Sequence, residues 1–276
     1  MNHTGNAPFS EIAQPPQRLP VEIAGVSLWQ ATLAQPEAAI AQWHAWLAPE
    51  EKQRVERMAR PSLRSRAIAV RALLRGLLAR ELWKEQGQKC AVSPASLRFQ
   101  TDAHGRPHLA APFANGAIRD FNLSHSGDNL LVGILHNTAP RSWQRIGVDL
   151  ESLQRSRDIA RLSHRVLCAR ERRTLEELDH EEYQRRFFHY WVLKEAFSKA
   201  VGAGFSLGFD AMDFDIDTTS PSRSAVSFPR ARALPKPHRP DDWTLQFLPV
   251  DPPLIAALAL GVSEVRHQES KLIPDA

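Results

Sequence analysis

The sequence has few cysteines and lacks a long hydrophobic run, and each of these features excludes a class of protein. Cys90 and Cys168 are the only cysteines among 276 residues, and neither has a second Cys or His at zinc-finger spacing. A disulfide framework and a structural zinc site are therefore not indicated. The apolar run at 254–262 is too short to span a bilayer and predicts a buried strand.

The first 20 residues lack the apolar stretch of a secretion signal and carry several prolines and glutamines. They predict a flexible leader, and the chain is expected to be cytoplasmic and to make no membrane contact. Hydrophobic residues make up 43% of the chain and charged residues 24%, which is typical of a folded globular protein.

Basic residues are present in excess, and they are unevenly distributed. The formal net charge is +4, and Glu56 is the only acid between residues 54 and 80. The eight arginines of that span are Arg54, Arg57, Arg60, Arg64, Arg66, Arg71, Arg75 and Arg80. This pattern has three explanations that the sequence leaves open: a solvated helix face, a nucleic-acid stripe, or a pocket for phosphates.

The order of hydrophobic patterns predicts an α+β fold of two similar halves. The first half has a strand at 26–33, helices at 36–47, from 49, and at 62–86, and then short strands and turns up to 136. The second half has a strand at 145–151, helices at 158–167, 169–178 and 181–201, and strands at 209–215, 243–250 and 254–261.

We expect the halves to form a pseudo-dimer, each a small, mainly antiparallel sheet packed against a long helix, with the active site in the cleft between them. The predicted boundaries are a leader at 1–20, an N-terminal half at 21–140, a C-terminal half at 141–265 and a tail at 266–276. The Pro- and Arg-rich loop at 220–241 is given no role.

Two groups of charged residues are candidates for chemistry. Asp149 and Glu151 are two apart on a predicted strand, so their carboxylates share one face. Such a pair suits Mg²⁺, although a solvent-facing strand edge is the more common explanation of an isolated pair. In the long helix, Glu195 and Lys199 are four apart, and their apolar neighbours favour a half-buried pair that faces a ligand over an ordinary surface pair.

The segment FNLSHSGD, residues 121–128, predicts a polar turn before a strand. In a turn, the side chains of Ser124, His125 and Ser126 and nearby backbone N–H groups can converge on an anion. A Ser–His nucleophile pair is not favoured, because adjacent residues rarely reach each other and no G-x-S-x-G motif occurs. A turn that merely caps a strand remains an alternative.

Four segments in register resemble the 4′-phosphopantetheinyl transferase superfamily, in its larger, surfactin-synthetase-activating (Sfp) type. They are GRPHL (105–109), FNLSHSGD (121–128), IGVDLE (146–151) and WVLKEAFSKAVGAGFSL (191–207). The resemblance implies a Mg²⁺-dependent enzyme that transfers the phosphopantetheine arm of coenzyme A (CoA) to a serine of an apo acyl, peptidyl or aryl carrier protein. Adenosine 3′,5′-bisphosphate would be released, and the enzyme would act as a monomer.

The resemblance also implies residue roles. Asp149, Glu151 and Glu195 would bind the metal, and Glu195, or a water that it orients, would take the serine proton. Lys199 would contact the pyrophosphate of CoA. The further CoA contacts would be Lys52, Arg66, Arg106, Ser124 and His125. Trp191 would pack the helix against the sheet, and Lys194 would pair with a nearby acid outside the chemistry.

Two other functions remain as alternatives. A Mg²⁺-dependent phosphodiesterase would share the three acids, and a nucleic-acid-binding module would use the arginines at 54–80 together with tryptophans. Three acids in one cleft would repel a phosphate backbone unless a metal is present, so we expect no nucleic-acid partner. The class of carrier protein does not follow from the sequence, and residues 158–180 are the docking surface that the resemblance implies.

Overall fold

A computed structural model describes Phe9 and residues 14–85, 92–102, 105–114, 116–140, 143–154, 159–202, 207–216 and 229–261. The helices are α1 (Glu37–His44), α2 (Pro49–Glu56), α3 (Pro61–Glu85), α4 (Ile159–Val166), α5 (Ala169–Glu176) and α6 (His180–Val201). The strands are β1 (Gln17–Leu19), β2 (Val26–Thr32), β3 (Phe99–Thr101), β4 (Pro107–Leu109), β5 (Ile118–Ser126), β6 (Asn129–His136), β7 (Arg145–Ser152), β8 (Asp213–Asp215), β9 (Arg230–Ala233), β10 (Trp243–Phe247) and β11 (Leu254–Gly261). None of the helices in these ranges combines the length and hydropathy that a membrane span requires.

Two antiparallel sheets form the centre of the fold. One has the strand order β1-β2-β6-β5 and the other the order β10-β11-β7, and the pairs β3-β4 and β8-β9 are separate. The predicted α+β class with mainly antiparallel sheets is confirmed.

The apolar core lies in three layers. The first joins α1 and α3 to one face of the four-stranded sheet, through residues such as Trp43, Leu77 and Val132. The second lies between the two sheets and includes Leu131 and Val148. The third joins the other face of the three-stranded sheet to α6. The molecule is therefore layered as helix, sheet, sheet, helix.

Strand β7 separates apolar from acidic side chains by simple alternation. Val148 and Leu150 belong to the core between the sheets, as the sequence predicts. Their neighbours Gly147, Asp149 and Glu151 are on the opposite face, and at Gly147 that face meets α6. A Cβ atom on Gly147 would lie 2.5 Å from the backbone N of Ala200 and closer still to the carbonyl oxygen of Ala196. Glycine thus allows α6 to approach the strand that carries the acids.

Helix α6 begins and ends where its sequence signals indicate. The side chain of Asp179 accepts a hydrogen bond from the backbone N–H of Glu182 at 2.9 Å, which caps the first turn. Gly202 ends the helix at φ 85°, in the left-handed region. These two signals fix the length of the helix and therefore the register of Glu195 and Lys199 against β7.

Two sequence-based expectations about local structure are wrong. The predicted leader at 1–20 includes β1, which pairs with β2, and Phe9, which packs edge-on against Trp43 at 6.4 Å. Ser124 and His125 do not lie in a turn: they lie within β5, and the turn comes later, at Gly127. Cys90, residues 220–228 of the predicted loop and the tail at 266–276 lie outside the described residues.

Candidate active site

Polar side chains of β5 connect the two sheets along one line, which we call the polar seam: Asp120, Asn122, Ser124 and Ser126. These residues are two apart, so they share one face of β5, and that face meets β7. The Asp120 carboxylate accepts a hydrogen bond from the Ile146 backbone N–H at 2.9 Å, and the Asn122 side-chain oxygen accepts one from Val148 at 3.0 Å. The seam therefore fixes β5 alongside β7 without backbone pairing of the two strands.

The last two residues of the polar seam contact the acids of β7 directly. The Ser124 hydroxyl donates to Oδ1 of Asp149 at 2.7 Å, and the Ser126 hydroxyl donates to Oε2 of Glu151 at 2.8 Å. Asp149 is only 4% exposed and Glu151 only 6%. The alternative that these acids form a solvent-facing strand edge is therefore wrong.

Lys199 extends from α6 to the same point. Its ammonium lies 2.6 Å from Oδ1 of Asp149 and 2.8 Å from the Ser124 hydroxyl. Glu195, which is half-buried, precedes Lys199 by about one helical turn on the same side of α6. The structure thus brings Ser124, Asp149 and Lys199 into direct contact, with Glu151 beside Asp149 and Glu195 one turn away.

The donors at this point fit a hard divalent cation. The second oxygen of Asp149, Oδ2, is buried and has no hydrogen-bond partner among the described residues. A buried carboxylate oxygen without a partner is costly, and a cation would satisfy it. All the predicted ligands are carboxylates, which Mg²⁺ prefers.

The ligand atoms of Asp149, Glu151 and Glu195 do not all lie within 4.8 Å of one another. Among the described residues, the one group of three potential ligands with atoms within 4.8 Å of each other is Cys168, Glu171 and Asp213. Glu171 is paired with Lys194 and Asp213 with Arg170, so the charges of that second group are already neutralised. The second group is therefore the poorer candidate, and the open oxygen of Asp149 favours the first.

The basic residues predicted to bind CoA phosphates are in different settings. His125 is exposed on β5, and alternation points it away from Ser124. Arg66, near the start of α3, donates to Oδ1 of Asp128 at 3.1 Å, at the turn that follows β5. Lys52 lies half-buried on α2. The structure thus places Arg66 beside the turn that follows His125.

The arginines at 54–80 do not form one stripe, which weakens the nucleic-acid alternative. Arg75 is 1% exposed and donates to Glu51 and to the carbonyl oxygens of Pro94 and Leu97. Arg80 stacks over the ring of Trp29 at 4.6 Å. Arg75 therefore stabilises the fold and is not available to a phosphate backbone, and Arg80 is partly buried against Trp29.

Arg106, which was expected to contact CoA, is buried and bonded within the protein. It is 7% exposed, and its guanidinium donates to Asp120 at 2.7 Å and to the carbonyl oxygens of Phe121, Ile146 and Lys199. It also borders a cleft of about 660 Å³. Because its terminal nitrogens are already bonded, we correct the expected role: Arg106 links β5, β7 and the end of α6.

Comparisons with known proteins agree with this geometry. The family model of the 4′-phosphopantetheinyl transferase superfamily matches residues 145–248, which include β7 and α6. A 4′-phosphopantetheinyl transferase, HetI, of Nostoc sp. is 31% identical over 86% of this chain and 87% of its own. The chain belongs to the 4′-phosphopantetheinyl transferase superfamily. It is an enzyme that transfers the phosphopantetheine arm of CoA to a carrier protein, as the sequence resemblance predicts.

More distant relatives of the transferase come from other lineages. A phosphopantetheinyl transferase of Thraustochytrium sp. is 29% identical over 73% of this chain and 68% of its own. The human L-aminoadipate-semialdehyde dehydrogenase-phosphopantetheinyl transferase is 26% identical over 81% of this chain and 70% of its own. Membership in this superfamily favours the transferase over the phosphodiesterase and nucleic-acid alternatives.

Two other residues of α6, Lys194 and Trp191, stabilise the fold. The side chain of Lys194 is fully buried, and its ammonium lies 2.5 Å from Oε2 of Glu171, which confirms the predicted pairing with an acid. Burial lowers the pKa of Lys194 and raises the pKa of Glu171, while their mutual attraction opposes both shifts. Trp191 is 5% exposed and packs against Phe187 and Phe209, so it is a packing residue, as predicted.

The polar seam was not predicted from the sequence, which placed Ser124 and Ser126 in a turn. Asp120, Asn122, Ser124 and Ser126 alternate with Phe121, Leu123 and His125, which is the period of a strand with one polar face. That signal was available, but the nearby Gly127 made a turn the stronger interpretation. The seam explains why hydroxyls occur at both positions opposite the acids of β7.

Proposed function

We propose that Asp149, Glu151 and Glu195 hold a Mg²⁺ ion against the pyrophosphate of CoA. The observation that carries this proposal is the buried Oδ2 of Asp149, which lacks a hydrogen-bond partner among the described residues while Oδ1 is held by Ser124 and Lys199. When bound, such an ion neutralises phosphate oxygens and makes the phosphorus easier to attack. The carboxylates of β7 and α6 supply its ligands.

Lys199 neutralises charge in the same place. Its ammonium lies 2.6 Å from Asp149, where a negatively charged leaving group would also be stabilised. We assign it to the CoA pyrophosphate, which would compete with Asp149 for the ammonium. Ser124, previously expected to contact CoA, is better assigned to holding Asp149, since its hydroxyl donates to that carboxylate at 2.7 Å.

Glu195 is the candidate general base. It lies about one turn from Lys199 on the face that approaches β7, so a carrier serine that reaches the phosphorus would pass near its carboxylate. Its carboxylate would take the proton of the attacking hydroxyl, directly or through a water. Positioning and charge neutralisation account for most of the catalysis in this type of reaction.

The basic residues around the turn after β5 would bind the remaining phosphates of CoA. His125 is exposed there, Arg66 reaches the turn through Asp128, and Lys52 lies on α2. Because the N-terminal residues bind CoA and the C-terminal residues bind the metal, the halves at 21–140 and 141–265 would act together. The helix, sheet, sheet, helix layering supports the proposed pseudo-dimer, working as a monomer on apo acyl, peptidyl or aryl carrier proteins.

The test is transfer from CoA to a purified apo carrier protein with added Mg²⁺, followed by intact mass measurement. We expect Asp149→Ala and Glu195→Ala each to reduce transfer at least about 100-fold, because each removes a metal ligand or base. Glu22→Ala, at an exposed acid between β1 and β2, is the matched control and should retain full activity. Full transfer by either site variant would remove that residue from the site.

A second measurement separates CoA binding from chemistry. We expect Arg66→Ala to raise the KM for CoA about 10-fold and to change kcat little, since a charge-assisted hydrogen bond to a phosphate is lost. Arg230→Ala, at an exposed arginine of β9 outside the basic segment, is the control. An unchanged KM in the Arg66 variant would count against its phosphate contact.

A further inference from the structure

Ser126 is the last residue of the polar seam, and its environment is unlike that of an ordinary strand serine. It is 1% exposed. Its hydroxyl donates to Oε2 of Glu151 at 2.8 Å and accepts a hydrogen bond from the backbone N–H of Ser152 at 3.2 Å. Both the donor and an acceptor site of this hydroxyl are therefore committed to β7.

These two bonds fix the direction of the Glu151 carboxylate. The Ser152 N–H orients the hydroxyl oxygen of Ser126, and the hydroxyl proton then holds one oxygen of the Glu151 carboxylate. Because the carboxylate is planar, this hydrogen bond also restricts the direction of its second oxygen. A glutamate has three side-chain torsions, and a buried partner of this kind removes much of that freedom. Outer partners of metal ligands have this effect in many metalloproteins.

The position of Ser126 also matters for how the two halves cooperate. Ser126 belongs to the four-stranded sheet and Glu151 to the three-stranded sheet. The carboxylate on one sheet is thus oriented by a hydroxyl on the other. Any small shift of the sheets would move the hydroxyl relative to the acid.

We propose that Ser126 is a positioning residue that orients Glu151 for the divalent cation. This inference rests on the metal site proposed above. Ser126 touches no reacting atom, so its loss should weaken cation binding while leaving CoA recognition by Arg66 and His125 intact. It gives the second serine of the SHS segment a role distinct from that of Ser124, which holds Asp149.

The test compares Ser126→Val with Ser126→Thr, because the two side chains have the same shape and differ in the hydroxyl. Binding of Mn²⁺ in the presence of CoA is measured by electron paramagnetic resonance and by calorimetry. We expect the Val variant to bind Mn²⁺ at least about 10-fold more weakly than the Thr variant. The Mg²⁺ concentration for half-maximal transfer should rise in parallel, while the KM for CoA at saturating Mg²⁺ stays unchanged.

Ser126→Ala and Ser163→Ala form a second, matched pair. Ser163 is 4% exposed and donates to the carbonyl oxygen of Ala160 at 2.8 Å, so its replacement also removes a buried hydroxyl. Only the Ser126 variant should lose Mn²⁺ affinity. A thermal unfolding scan of each variant separates this effect from loss of folding.

The outcomes are distinct. Equal Mn²⁺ affinity in the Val and Thr variants, or in Ser126→Ala and wild type, would overturn the role of Ser126 and leave the metal site standing. Absence of Mn²⁺ binding in the wild-type protein with CoA would overturn the metal site and this inference together. A rise in the KM for CoA alone would assign Ser126 to substrate binding instead.

Discussion

The Lys194–Glu171 ion pair is enclosed by the protein on every side. Both side chains have 0% exposure, and the Lys194 ammonium also donates to the carbonyl oxygens of Val166, Phe209 and Met212. The other oxygen of Glu171 accepts a hydrogen bond from the Phe214 backbone N–H at 2.9 Å. The pair thus connects α6 with α5 and with the segment that leads into β8, and we expect it to take no part in the chemistry.

Removing one member of this pair should be far more harmful than removing an exposed charge. We expect Lys194→Met to lower the free energy of unfolding by about 3–5 kcal/mol, because Glu171 would be left buried and unpaired. Adding Glu171→Gln should recover part of the loss, since the charge disappears. Urea unfolding measures both. The control is Arg232→Met, whose ion pair with Asp215 is 56% exposed at both ends and should contribute less than about 1 kcal/mol.

If Lys194→Met and Arg232→Met lowered the free energy of unfolding equally, the buried pair would contribute no more to stability than the exposed one. A full loss of transfer by a stably folded Lys194→Met protein would also contradict this assignment, because it would place Lys194 in the reaction.

His189 should make stability depend on acid pH. Burial lowers its pKa to about 4, although its Nδ1–H donates to the Arg185 carbonyl oxygen at 2.8 Å and this hydrogen bond opposes the shift. An unfolded histidine has a pKa of about 6.5, so the unfolded chain binds the extra proton first as the pH falls. The contribution of His189 is therefore complete above about pH 6.5 and is lost between about 6.5 and 4.

We expect this loss to be about 2–3 kcal/mol, measured from urea unfolding at several pH values. His189→Phe, which keeps a ring against Phe247, should flatten that part of the profile. His180→Gln removes an exposed histidine and should leave the profile as in wild type. An unchanged profile in the Phe variant would contradict the burial argument.

At the scale of elements, the crossing of α6 over β7 creates the site. Lys199 reaches Asp149 because Gly147 lets the helix backbone lie against the strand. No side chain fits between Gly147 and the backbone of Ala196 and Ala200 without moving the helix. One glycine therefore sets the distance between the acids of the strand and the charged residues of the helix.

We expect Gly147→Ala to lower the free energy of unfolding by about 3 kcal/mol or more and to abolish most transfer, since overpacking against backbone is difficult to relieve. Adding Ala200→Gly removes the Ala200 Cβ but leaves the Ala196 carbonyl oxygen in place, so it should not rescue the variant. Thermal unfolding and the transfer assay measure the two effects. Full rescue by Ala200→Gly would show that side-chain crowding, not the backbone approach, sets the limit.

The sequence predicted these two elements well because their patterns are strong. β7 has strict alternation, and α6 carries an Asp cap at its start and a glycine at its end. Strand β5 was harder, because the turn signal at Gly127 outweighed its period of two. β1 has three residues and too little pattern to distinguish it from a leader.

The partners of charged residues were the least predictable part of the site. The role of Arg106 depends on Asp120 and on the carbonyl oxygens of Ile146 and Lys199, which are distant in sequence. Nothing local distinguishes such an arginine from one that binds phosphate. The acids of β7, by contrast, were identified from their spacing and from the resemblance, although the sequence could not show which hydroxyls hold them.

At the scale of the whole molecule, the two halves depend on a shared core. Leu28 and Leu131 from the first sheet pack with Val148 and Leu258 from the second, and all four are buried. The polar seam runs beside this core and joins Ser124 to Asp149. Neither sheet can bury its inner face without the other, and the acids of the proposed metal site on β7 are held by Ser124 and Ser126 of the first sheet.

A chain divided after Pro140 tests this dependence. We expect fragments 1–140 and 141–276, prepared separately, each to bind a hydrophobic dye and to lack transfer activity, because each exposes one face of the core between the sheets. Mixed during refolding, they should recover a cooperative thermal transition and measurable transfer. Leu131→Asp in the first fragment is the control, and it should prevent recovery by placing a carboxylate in that core. Cooperative unfolding of either fragment alone, or recovery despite Leu131→Asp, would show that the halves are independent domains and that the core between the sheets does not hold the active site together.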